Sequence, residues 1–286
     1  MTARDNRKTG GQSKVNRGGR HRALYRRSLL TVQAFLLLAT SPLLGQIQDN
    51  SFLLEEAYNQ EHGVVQHIST FERADGGDWE FGFTQEWPLG GIRHQLSYTV
   101  PVQHGEIGTG LGDVALNYRY QLAGDPEART VMAPRLSLLL PTGDEKEGRG
   151  TGGVGIQGNV PLTLVLSERF VTHWNAGATV TPSARGPFGG TASTTTYNLG
   201  ASVIWLFRPS FNFMAEMAWA DSRTVVADGR TLREESLVLN PGVRWAFDLP
   251  GDLQIVPGVA YTIGLSEGPD ENAVFLYLSF EHPFKR

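Results

Sequence analysis

The sequence predicts an all-β protein, an antiparallel transmembrane β-barrel of about 12 strands behind a short N-terminal periplasmic segment. Three observations predict it. From His62 to Phe284, apolar residues recur at every second position over stretches of 9 to 13 residues, the period of a strand. Lysine nearly vanishes: after residue 45 only Lys146 and Lys285 remain, whereas a soluble sheet places lysine on its wet face and edges. No apolar run after residue 45 reaches the roughly 18 residues that a spanning helix needs. A closed barrel is then the remaining way to satisfy backbone polar groups in hydrocarbon.

The first element is an export signal. The chain of 286 residues carries a formal charge of -4, but residues 1–45 hold nine Lys/Arg and one acid, leaving 16 basic and 28 acidic residues for the rest. The basic head runs to Arg27 and is followed by an apolar stretch, Leu29 to Leu44, then Gly45 and a polar segment. That is the order of a secretory signal peptide over 1–45, cleaved near Gly45. A membrane anchor fits less well, because the stretch is short and broken by Gln33 and Pro42. With 34 Gly, 15 Pro and no Cys against 40% hydrophobic and 19% charged residues, collagenous, disordered and disulfide-stapled classes are excluded. So is any Cys-liganded zinc site.

The second element, 46–61, is the periplasmic segment. Phe52, Leu53, Leu54, Ala57 and Tyr58 stand among acids, as in a short amphipathic helix or an extended plug packed under or into the barrel.

The barrel itself occupies 62–286, with strands over 62–71, 78–87, 91–102, 111–122, 130–141, 154–165, 170–182, 195–207, 211–221, 235–247, 253–263 and 273–284. In the fourth, Val114, Leu116, Tyr118, Tyr120 and Leu122 share one face and Asp113, Ala115, Asn117, Arg119 and Gln121 the other. The seventh sets Phe170, Trp174, Ala176, Ala178 and Val180 against His173, Asn175, Gly177 and Thr179, and the eighth aligns Tyr197, Leu199, Ala201, Val203, Trp205 and Phe207. Odd connections such as 142–153, 183–194 and 222–234 are long; even ones such as 88–90, 208–210 and 248–252 are short. Outer-membrane barrels have tight periplasmic turns and longer outside loops, so both termini are expected in the periplasm. Trp87, Tyr120, Phe170, Trp205, Phe207, Phe211, Trp245, Phe247 and Phe284 gather at the short-turn ends, as an interfacial girdle does.

With the apolar face toward lipid, the charged lumen lining is expected to be Glu80, Arg93, Asp113, Arg119, Arg135, Glu216 and Arg244. Charge inside a narrow barrel is paired or wet, so these groups either knit the interior shut or line a selective constriction. A positive ring of Arg93, Arg119, Arg135 and Arg244 would favour anionic or electron-rich solutes. Two glycine motifs, Gly108-Thr109-Gly110-Leu111-Gly112 and Gly148-Arg149-Gly150-Thr151-Gly152-Gly153, resemble phosphate loops, but neither opens a helix after a strand. His67 and Ser69 share a strand face, yet without an orienting acid they make no nucleophile and base. No catalytic residue, cofactor, metal site or nucleic-acid partner is therefore expected.

A family resemblance adds to this. Ser51 to Thr70 (SFLLEEAYNQEHGVVQHIST), Gly110 to Tyr120 (GLGDVALNYRY) and Leu140 to Asp144 (LPTGD) resemble the outer-membrane transporters grouped under the MetA pathway of phenol degradation. The resemblance implies a barrel distantly like channels for hydrophobic and aromatic compounds, and no enzyme. Val274 to Phe284 is similar to the C-terminal signal read by the barrel-assembly machinery, with Lys285 and Arg286 added after the aromatic. The expectation is a passive channel or uptake protein of the bacterial outer membrane for small, aromatic or hydrophobic solutes, its partners being outer-membrane lipid, lipopolysaccharide, the assembly machinery and the solute. The alternatives are a structural or adhesive barrel with a closed lumen and ligand-binding outside loops, and a lipid-modifying enzyme.

Overall fold

In a computed structural model of the chain, residues 51–125, 127–266 and 272–284 are described. The signal peptide expected over 1–45 lies outside these residues. Among the described residues fifteen strands follow one another: β1 Val64–Ala74, β2 Trp79–Pro88, β3 His94–Gly105, β4 Gly108–Leu111, β5 Val114–Tyr120, β6 Thr130–Met132, β7 Arg135–Leu140, β8 Gly155–Ser167, β9 Phe170–Arg185, β10 Thr191–Arg208, β11 Phe211–Val225, β12 Thr231–Trp245, β13 Phe247–Leu249, β14 Leu253–Gly264 and β15 Ala273–Pro283. All pair antiparallel with their neighbours, and β1 pairs with β15, which closes the ring. Three staves are built in two pieces each, β4 with β5, β6 with β7, and β12 with β13. The result is a closed antiparallel barrel of 12 staves.

Proline accounts for one of the breaks. Pro134, between β6 and β7, has no N–H to give the ladder. Ala133 beside it reaches Pro161 O at 3.2 Å. The expected strand at 91–102 begins later, at His94, because Gly90 and Gly91 take φ of 70° and 137° and lengthen the preceding turn.

Several connections expected to be long are tighter than their spacing implies. The 183–194 connection narrows to 186–190, because β9 and β10 run for 16 and 18 residues. A transmembrane β-strand needs only about 9–11 residues, so the Thr-rich start of β10 extends the wall beyond the apolar belt. The 142–153 loop is folded rather than loose. Asp113 Oδ1 accepts from Gly143 N at 3.1 Å, and Oδ2 accepts from Thr151 N at 2.7 Å and Thr151 Oγ1 at 2.9 Å.

The polarity of the wall is inside out. Leu116, Trp174, Leu199, Val203, Leu276 and Leu278 are exposed on the outer face, while Gln66, Gln95, Asn159, Asn175, Ser202 and Asn240 are buried on the inner one. This is the arrangement of a transmembrane barrel, with lipid as solvent for the outer face. Near the short-turn rim the outer face carries a plate of rings. Phe211 lies 5.0 Å from Phe213 and 5.3 Å from Trp245, Trp205 lies 5.1 Å from Phe207, and Arg208 stands over the Phe207 ring.

Candidate functional site: the occupied lumen

The interior is not empty. Residues 51–61 run inside the barrel ahead of β1, and the backbone N–H groups of seven of them donate to side chains of the wall. The N–H groups of Phe52 and Leu53 donate to Glu216 Oε1 at 3.0 and 3.2 Å, and that of Leu54 does so at 3.4 Å. Glu55 N donates to Asn175 Oδ1 at 2.9 Å, Ala57 N to Thr163 Oγ1 at 2.9 Å, and Gln60 N to Gln95 Oε1 at 2.7 Å. These acceptors sit on β11, β9, β8 and β3, so the segment crosses the lumen from one wall to the other. It forms neither helix nor strand. A chain so placed satisfies its buried amides from the surrounding staves, as burial demands.

Apolar side chains anchor it at one end. Phe52 packs 5.6 Å from Phe275 and 5.3 Å from Tyr277, in a cluster with Met214, Val256 and Ala260. Two glycines make the space: a Cβ at Gly258 would lie 2.5 Å from Phe52 Cζ, and one at Gly242 would lie 2.7 Å from Phe52 Cε2. Charge anchors the middle. Arg119, 4% exposed, donates to Glu56 O at 2.9 Å and Tyr58 O at 3.0 Å. Its guanidinium also stands 3.3 Å from Glu56 Oε1 and 3.2 Å from Glu86 Oε1. Arg135 Nη2 is 2.6 Å from Glu55 Oε1.

The seven residues expected in the lumen divide. Arg119 and Arg135 meet the segment through ion pairs, and Glu216 holds its backbone. Arg244 is fully buried on β12, opposite Asn212 on one side and Gly258 on the other. Glu80 accepts from Gln103 Nε2 at 2.7 Å and lines a cavity toward the long-loop rim. Asp113 organises the 142–153 loop. Arg93 falls one residue before β3, is exposed, and stands apart from the others. Because Arg119 and Arg135 pair with carboxylates, the interior holds no ring of bare positive charge at these positions. Glu86 was not among the expected residues, although it lies six positions after Glu80 on the same inward-facing set of β2. Glu55 and Glu56 carried no signal at all, since their partners are more than 60 residues away.

His67 meets another histidine, with Nε2 3.3 Å from His282 Nε2, and stacks on Phe280. Among the described residues, no group of three His, Asp or Glu could hold a metal ion.

Two spaces that share lining residues lie beside the segment. The larger, of about 660 Å³, is floored by Leu53 and walled by Glu72, Glu80, Gln103 and Thr262, with Arg149 of the folded loop at its edge. The smaller, of about 300 Å³, lies between Leu53, Leu54 and Glu55 of the segment and β7 to β12. Leu53, Ala218 and Val238 line both.

Among solved structures, the barrel resembles the COG4313 outer membrane channel from Pseudomonas putida F1, with a TM-score of 0.55 and 12% identity over 81% of this chain and 99% of that one. It also resembles the NanC porin, with a TM-score of 0.51 and 10% identity over 78% of this chain and all of that one. At such identities the likeness is one of fold. No curated protein sequence matches the chain. A family model matches residues 45–247, which take in the lumen segment and every stave up to the start of β13. The chain therefore belongs to the family described as "Putative MetA-pathway of phenol degradation".

Proposed function

We propose that the protein is a passive channel or uptake protein of the bacterial outer membrane for small, aromatic or hydrophobic solutes, exported by a cleaved signal peptide. One observation carries this reading: behind an apolar outer face, the lumen holds a space of about 660 Å³, lined in part by Glu72, Glu80, Gln103 and Thr262, that reaches from the long-loop side down to the segment at Leu53. Family membership and the barrel's likeness to outer-membrane channels support it. In this reading the long loops face outward, the short turns face the periplasm, and residues 51–61 form the constriction. Solute enters the outer space and passes when the segment shifts.

The anchoring of that segment favours a second reading, a structural barrel with a closed lumen. Two ion pairs, Arg119 with Glu56 and Arg135 with Glu55, and three backbone amides on one carboxylate hold it in place. Planar-bilayer conductance and swelling of liposomes in small aromatic solutes separate the two. Wild-type conductance, increased on removal of residues 46–56, supports the channel; silence in both proteins supports the closed barrel. Lipid hydrolysis by the purified protein would move the assignment to an enzyme.

A further inference from the structure

Where the first stave meets the last, two histidines come together on the outer face. Gln66 of β1 points into the lumen, where Gln60 of the segment donates to it, and Glu281 of β15 stands opposite Gln66 in the ladder. Strand alternation therefore turns His67, Phe280 and His282 outward. His67 lies opposite Phe280 and His282 opposite Val65, so the two histidines are diagonal neighbours, close enough for one ring to reach the other. Both are half-buried and sit near the short-turn rim, close to the start of β1 and the end of β15.

The two imidazoles are arranged as metal ligands are. Their Nε2 atoms stand 3.3 Å apart, with the rings 15° from parallel. Zinc holds imidazole nitrogen at about 2.0–2.1 Å in a tetrahedron, which sets two ligand nitrogens roughly 3.3–3.4 Å from each other. His282 Nδ1 lies 3.2 Å from Pro283 O. A carbonyl only accepts, so the ring hydrogen sits on Nδ1 and Nε2 keeps its lone pair. Giving the second ring N–H to a backbone carbonyl is what a metal-bound histidine does. His67 is held by stacking on Phe280, ring centroids 4.5 Å apart. A direct N–H···N bond between the rings would be longer than the roughly 2.7–3.2 Å of a good hydrogen bond. Gln85, opposite His67 on β2, is already engaged by Tyr98. Among the described residues no third His, Asp or Glu completes the set, so the remaining positions fall to water.

We propose that His67 and His282 form a two-imidazole site for a transition-metal ion, Zn²⁺ or Cu²⁺, on the outer face of the short-turn rim. Imidazole suits these ions, whereas Mg²⁺ and Ca²⁺ take oxygen. The ion bridges β1 and β15, the pair that closes the ring. An ion that binds only the closed ring stabilises it.

The test uses the full-length barrel without a histidine tag, purified in detergent, freed of metal by chelator and probed with Zn²⁺ or Cu²⁺ alone. Calorimetry is expected to show one Zn²⁺ per barrel. Loss of an outer partner alone weakens a metal site about 10–100-fold, so His67→Ala and His282→Ala should each weaken binding at least about tenfold. His62→Ala, an exposed residue outside the strands, should bind as wild type. Electron paramagnetic resonance of the Cu²⁺ form should count two nitrogens in wild type and one in either strand variant. Zn²⁺ should raise the urea midpoint of the wild-type barrel and leave both strand variants unmoved. Heat-modifiable mobility shows whether each variant forms the barrel; where one does not, the wild-type nitrogen count decides, two supporting the site and one overturning it. Binding that survives either strand variant, or that is lost in His62→Ala, overturns it as well.

Discussion

Glu216 accepts the backbone N–H of Phe52 at 3.0 Å across 164 residues of sequence. The same carboxylate takes Leu53 N at 3.1 Å and Asn240 Nδ2 at 3.0 Å. A carboxylate is acceptor-only when ionised, so it suits a run of successive backbone donors. Glu216→Gln keeps the shape but turns an NH2 toward those donors. We expect a loss of about 1–3 kcal/mol of stability and higher conductance as the segment loosens. Urea unfolding and planar-bilayer recording check it; an unchanged current would mean that Phe52 packing and the ion pairs to Arg119 and Arg135 suffice to hold the segment.

Arg119 should behave as half of a buried pair. Removing it strands Glu86 and Glu56, and breaking a buried pair from one side costs about 3–5 kcal/mol. Arg119→Met is therefore expected to be strongly destabilising. Arg119→Met with Glu86→Met should recover part of the loss, because an apolar replacement of both partners is often neutral. A double-mutant cycle measured by denaturant unfolding gives the coupling, and additive losses would show that the 3.2 Å contact carries little.

The two faces of β5 offer a sharper contrast. Leu116 is 47% exposed on the outer face, and its neighbour Asn117 is 5% exposed within. Arginine near the bilayer midplane of a barrel costs roughly 2–4 kcal/mol. Leu116→Arg should impair assembly, seen as loss of the heat-modifiable band, and Ala201→Arg should do likewise. Asn117→Leu surrenders a 3.2 Å bond to Ser97 and should fold. The opposite result would invert the assignment of faces.

That contrast was legible in the sequence because it is local. Period-2 alternation places Leu116 and Tyr118 opposite Asn117 and Arg119 whatever the distant chain does. All 12 staves were legible for the same reason, and their ends were displaced where glycines at 90 and 91 adopt positive φ. The path of the segment was not legible. Its partners, Glu216, Asn175 and Thr163, are joined to it through backbone amides, which every residue but proline possesses, so no residue pattern marks them. The pairing of Arg119 with Glu86 and Glu56 needs three pieces of chain brought together by closure of the ring. Charge on an inward face told that the arginines matter, and only the fold told that they are matched.

Topology yields to epitope tags. Gly189 sits in the 186–190 turn beside Phe188, which is 85% exposed at the long-loop rim. Pro250 lies in the short turn after β13. A tag at Gly189 should be reached by antibody on intact cells, and one at Pro250 only after permeabilisation. Surface labelling at Pro250 would reverse the orientation and place the 660 Å³ space on the periplasmic side.

The segment can be displaced without touching a charge, which separates gating from electrostatics. Phe52 lies over Gly258, where any Cβ would stand 2.5 Å from its ring, and neither strand ladder beside Gly258 depends on that ring. Gly258→Leu should therefore push Phe52 from its cluster and leave the barrel closed. Stability falls by the lost burial of one aromatic side chain, about 1.5–3 kcal/mol, while every ion pair to Arg119 and Arg135 stays available. If the segment is a constriction, Gly258→Leu and Glu216→Gln raise conductance alike, although one acts through volume and the other through hydrogen bonds. If only Glu216→Gln does so, the effect belongs to charge in the lumen and the segment is a fixed strut. Single-channel recording on both variants, with heat-modified mobility to confirm the barrel, decides between them.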